Sequence, residues 1–281
     1  MPLGLDEGKL RAVKIAALAV LIAGLALFIS GLDFSAVKIA PSADLIIILA
    51  AFLIVFSLSR ALSMKYFFAD FGFNLSLAKS VEMHFVSAFA EIASFTGKIG
   101  SDVAKYFYLE GKGKRKTGVI AFRVLATYCY GIVFLAMLFA LTENFLAGAA
   151  LAFSIVLPLA LKKKAEKMLG VESVSGIIIS AAFYTLSVIS SLGVAWIVIS
   201  VYSHEKTLET VFSYFYAHIA GILSTLPFGL GVEEGFIISS FSGSFTAEQI
   251  AAIILLIRLS TVVPGSLIGA LMYAAGIARK K

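Results

Sequence analysis

Long apolar runs, separated by short polar stretches, fill most of this 281-residue chain. Runs at roughly 13–32, 44–62, 117–142, 145–161, 173–203 and 247–278 are each long enough to cross a bilayer as a helix. The last of these carries Pro264 in its interior, and the run at 173–203 is long enough to need tilt. A polar loop at 33–44 and an interfacial connector at 63–75, with Lys65, Phe67, Phe68 and Asp70, separate the early runs. Two further apolar segments, 76–109 and 210–242, are interrupted by glycine-rich breaks. The first break is Phe95-Thr96-Gly97-Lys98-Ile99-Gly100-Ser101-Asp102, and the second is Leu226-Pro227-Phe228-Gly229-Leu230-Gly231-Val232-Glu233-Glu234. Such a break is costly inside a membrane, where unpaired backbone groups find no water. Gly97, Gly100, Pro227, Gly229 and Gly231 are therefore expected to act as hinges between helical arms.

Composition fixes the class. Hydrophobic residues make up 60% of the chain, well above a soluble domain, so an all-α polytopic membrane protein with one membrane domain is expected. Short alternating segments of the kind that build a membrane barrel are absent from the pattern. Cys129 is the single cysteine and supports neither an internal disulfide nor a cysteine metal cluster. The apolar stretch Ile15–Leu32 is long for a signal-peptide core and reads as a retained first helix behind Lys9, Arg11 and Lys14.

Charge then sets the topology. The net charge of +6 comes largely from basic residues flanking apolar runs, which argues for orientation in a membrane and against nucleic-acid binding. The N-terminus, the clusters at 112–116 and 162–167, and the C-terminus should lie in the cytoplasm. The loops at 33–44, 143–144, 204–209 and 241–248 should lie outside. Six crossings satisfy these sides only if 76–109 returns to the inside and 210–242 to the outside. Each is then a re-entrant helical hairpin. The chain divides into a first repeat at 13–142 and an inverted second repeat at 145–278, a plan used by many transporters.

Several charged residues fall inside this frame. Arg60 is expected to snorkel to the interface from the end of its run. Arg123 and Arg258 each follow a hairpin; Arg123 lies shallow enough to snorkel, and Arg258 lies about 16 Å into the last helix. Arg258 either pairs with Glu233 or Glu234 or binds a ligand. Asp102 and Lys105 are spaced to pair on one helix face. Lys98 stands at the first hairpin tip, and helices beginning after Gly100 and Gly231 would point free N–H groups at an anion. Lys98, Arg123 and Arg258 together would suit a phosphate or other anionic headgroup. Glu233 and Glu234 would neutralise the arginines in the absence of ligand, or carry protons. His84, His204 and His218 are scattered and read as core or interface histidines. No nucleophile–base constellation or metal-ligand spacing occurs, so neither enzymatic activity, cofactor nor metal is expected.

The two breaks with their following arginines resemble the membrane region of lysylphosphatidylglycerol synthetases and the related stand-alone flippase-like membrane proteins. The family's first motif, roughly L-P-G-x-x-G-E, is similar to Phe95–Asp102, and its second, roughly P-G-G-x-G-x-x-E, to Pro227–Glu234. On that pattern Glu234 takes the motif's glutamate and Arg258 the later arginine. Thr96 replaces the usual proline, Ser101 the usual acid, and of E-R-x-x-D only Arg123 remains. The synthetase domain is absent from this chain. The resemblance implies translocation of an anionic phospholipid or a polyprenyl-phosphate-linked lipid between leaflets of the cell membrane. A membrane lipid is then the expected partner, with homo-oligomerisation left open. Residues alone leave a second option, a proton-coupled transporter of a small anion.

Overall fold

A computed structural model describes residues 42–93, 98–109, 116–127, 175–203, 207–224, 229 and 231–278. Among them the chain is entirely helical: α1 (Ala43–Asp70), α2 (Leu77–Ala93), α3 (Lys98–Tyr108), α4 (116–127), α5 (Ser175–Tyr202), α6 (Thr207–Leu223), α7 (Val232–Phe241) and α8 (Ala247–Ala278). Three of these, α1, α5 and α8, are long and apolar enough to cross a membrane. The expected helices at 13–32 and 145–161, the basic clusters at 112–115 and 162–167, and Gly97 and Pro227 lie outside the described residues.

Local signals account for the helix ends. Ser42 caps α1 by accepting the Leu45 N–H at 3.2 Å, with Asp44 in the first turn. The helix does not stop near residue 62 as the hydropathy suggests; it runs through the expected connector to Asp70. Its stop is a Schellman motif, in which Gly72 adopts φ 74° and the Phe73 N–H reaches Phe68 O at 2.9 Å. The extra turns form because Phe67, Phe68 and Phe71 are all buried in the main core. Ser76 caps α2 through the Lys79 N–H at 3.2 Å. Thr246 and Gln249 form a reciprocal capping box at the start of α8, with bonds of 2.9 and 3.3 Å. Pro264 does not end α8, and hydroxyls on either side of it bond helix carbonyls, Thr261 to Ile257 and Ser266 to Val262.

The central pair is α1 with α5, two antiparallel helices of 28 residues each. Asp70 caps the start of α5 by accepting N–H groups of Gly176 and Ile177 at 3.1 and 2.7 Å. Ser63 meets Ser180 at 2.9 Å, and Ser190 bonds the Phe52 carbonyl at 2.7 Å. The buried side of α1 includes Ser57, Ser59, Ala61 and Ser63, whereas Ile46, Ile47, Ile48 and Ile54 are exposed. Small residues between helices and bulky apolar ones outward suit a protein solvated by lipid.

The other helices frame this pair. α2 packs against α3 and α8, and α6 against α5 and α7. Gly269 of α8 touches the backbone of Phe85 in α2 so closely that any Cβ there would overlap it. One core joins α1, α4, α5 and α6 around Phe67, Tyr184 and Phe215; a second joins α5, α6, α7 and α8 around Ile199, Tyr214 and Ile253. Helix lengths also match in order: 28 and 28 residues for α1 and α5, 17 and 17 for α2 and α6, 11 and 10 for α3 and α7.

Candidate functional site: a buried charge centre at the start of α7

The bend between α6 and α7 is built from two glycines. Gly229 and Gly231 hold φ of 70° and 85°, a region that side chains disfavour. Gly229 also lies directly against Gly221 of α6, leaving no room for a Cβ. This contact brings the end of α6 against the first turn of α7, where Glu233 and Glu234 stand. As expected, α7 begins immediately after Gly231.

Arg258 reaches this turn from α8. Glu234 Oε1 accepts from Arg258 Nε at 3.0 Å and from NH2 at 2.6 Å, while Glu234 Oε2 accepts the Gly231 N–H at 2.6 Å. Glu234 thus both caps its own helix and holds the arginine. Glu233 is buried, and its Oε2 lies 3.2 Å from the same guanidinium nitrogen. Its other oxygen is 3.4 Å from His218 Nδ1 of α6, close enough for an ion pair but outside hydrogen-bond geometry. Tyr214 of α6 lies beside Glu233 and next to Ser191 of α5. Arg258, Glu233 and Glu234 are therefore brought together, and four helices contribute to the centre.

The remaining candidates gather elsewhere. Lys105 bonds Asp102 at 2.7 Å on α3, the spacing-based pair. Lys98 opens the same helix within electrostatic reach of Asp102, Lys105, Glu91 and Arg60. α3 starts at Lys98, so Gly100 lies in its first turn and is not the residue after which the helix begins. The opposite side of α3 exposes Ile99, Val103 and Phe107. Arg123 does not snorkel: it is 4% exposed and bonds Ser180 at 2.8 Å and Ser63 at 2.9 Å, with its guanidinium over the Phe67 ring. It joins α4 to the α1–α5 pair. Arg60 also turns inward, its guanidinium 4.1 Å above the Tyr184 ring and 5.4 Å from that of Phe56. His84 is a buried core histidine against Phe56 and Phe85, and His204 is outside the described residues. Among the described residues, no three His, Cys, Asp or Glu side chains form a metal-holding group.

Sequence reading missed Tyr214, His218 and Gly221. Their spacing carries the signal: positions i, i+4 and i+7 lie on one face of α6, leading into the glycine break. Arg60 was missed as an interior residue because it lies near the end of an apolar run, where snorkelling is the simpler expectation. Comparison with protein-family models, with curated proteins and with solved structures finds no match.

Proposed function

We propose that this protein is a flippase-like lipid transporter of the cell membrane, moving an anionic phospholipid or a polyprenyl-phosphate-linked lipid between leaflets. The observation that carries the reading is Arg258, about 16 Å along α8, held by two carboxylates at a glycine bend. A charged cluster in an apolar helix of this kind is a functional candidate, because its burial is costly without a role or a partner. Glu233 and Glu234 keep the arginine compensated while no headgroup is bound.

Two further features favour a lipid over a small soluble anion. α3 sets Lys98, Asp102 and Lys105 on one side and exposed Ile99, Val103 and Phe107 on the other, a division that suits a headgroup beside its acyl tails. The matched lengths of α1–α3 and α5–α7 support an inverted repeat; six crossings, two re-entrant hairpins and cytoplasmic termini complete the proposed topology. Rocking of the two halves would then expose the headgroup to either leaflet. The resemblance of the glycine breaks to the flippase-like membrane proteins points the same way, and no part of this reading requires an enzyme.

Arg258→Ala tests the role directly. In vesicles containing phosphatidylglycerol with a fluorescent acyl chain, the wild-type protein should move probe between leaflets and the variant should not, while both elute as the same folded species. An unchanged rate in the variant would remove Arg258 from the mechanism.

A further inference from the structure

Among the described residues, the charges around Glu233 do not cancel. One guanidinium, Arg258, meets two carboxylates, with Glu234 Oε1 at 2.6 Å and Glu233 Oε2 at 3.2 Å from the same nitrogen. Among the described residues, the charged and titratable groups that meet Glu233 are His218 and Tyr214 from α6, Glu234 beside it on α7 and Arg258 from α8, and α5 contributes the neutral Ser191 beside Tyr214. With both carboxylates ionised and His218 neutral, this centre would carry one net negative charge. Glu233 is 2% exposed, and an uncompensated charge at such a place is strongly disfavoured. His218 Nδ1 is buried, makes no hydrogen bond and lies 3.4 Å from Glu233 Oε1. A proton held by these two atoms brings the centre to zero.

We propose that His218 and Glu233 form a proton-binding site that controls the access of an anion to Arg258, so that transport is coupled to protons. The coupling rests on the lipid-transport reading; the proton site itself does not. With one proton on the pair, Glu233 is ionised and occupies the Arg258 guanidinium. A second proton neutralises Glu233 and frees the N–H it had accepted for an oxygen of the incoming headgroup, while Glu234 keeps its own bond to Arg258. The added proton and a singly charged headgroup cancel, so the centre is neutral before and after binding. No covalent bond is made or broken apart from the protonation of Glu233. About one proton accompanies each headgroup.

Two measurements separate the proton site from the transport reading. In the phosphatidylglycerol vesicles, an internal pH dye should record about one proton moving with each probe lipid, a coupling that Glu233→Gln abolishes. Lipid movement without any pH change in the wild type would overturn the coupling and leave the transport reading standing. The second measurement uses no lipid substrate: nitrogen NMR of histidine-labelled protein in phosphatidylcholine nanodiscs, with the His218 signal assigned by His218→Asn. At one fixed pH the His218 ring should be more protonated in the wild type than in Glu233→Gln. That result together with absent lipid movement would keep the proton site and sink the transport reading. A His218 ring no more protonated in the wild type than in Glu233→Gln would overturn the site itself.

Discussion

Arginine placement is the clearest lesson at the scale of residues. Arg60, Arg123 and Arg258 all sit in apolar helices, yet each is stabilised differently: by aromatic rings, by two serine hydroxyls with a ring, and by two carboxylates. Replacing Ser63 by alanine removes one of the two serine oxygens that accept from Arg123, and should cost about 1–3 kcal/mol in unfolding experiments in mild detergent. Gly229 is the other critical position. Gly229→Ala combines a disfavoured backbone angle with a collision against Gly221, so a loss of about 1–3 kcal/mol and displacement of Glu233 from Arg258 are expected. Thermal unfolding beside the same variant at Gly235, which has open space around it, separates this effect from general helix perturbation. Gly229 and Gly231 were legible as a break in the chain, whereas the part of Gly221 was not. Its role arises from contact with Gly229 across the bend, and nothing in an α6 sequence window shows that contact.

At the scale of elements, two helix starts were readable from local signals. The Thr246–Gln249 box starts α8 where the sequence places it, and Gly231 precedes α7. Hydropathy failed at the end of α1, because Arg60 and Lys65 mark an interface in sequence while Phe67 and Phe68 continue the helix into the core. Packing between elements sets the remaining sensitivity. Gly269→Leu should drive α8 away from Phe85 of α2 and cost about 1–3 kcal/mol, measured by loss of folded protein on heating. Thr246→Ala should cost about 1 kcal/mol through the α8 cap alone, without altering that interface.

For the whole molecule, the antiparallel α1–α5 pair is the organising contact, and it can be tested by cross-linking. Ser63→Cys with Ser180→Cys, in a Cys129→Ser background, should form a disulfide on mild oxidation, since the two hydroxyl oxygens are 2.9 Å apart. A free-thiol assay and a shift in gel mobility report the link; two thiols that stay free under oxidation would count against this pairing. Sequence by itself determined the helical character of the described residues, the long apolar helices at α5 and α8, the glycine break before α7 and the Asp102–Lys105 pair. These depend on hydropathy, backbone freedom and spacing within a few turns, all of which are local. Only the tertiary structure decided that Arg123 lies between Ser63 and Ser180, that Arg60 turns onto Tyr184, and that His218 and Tyr214 join Glu233. Buried charges select partners from whichever helix faces come together, and Arg123 is 57 and 60 residues from the serines it bonds. Periodicity identifies a face; it does not say which other face that one meets.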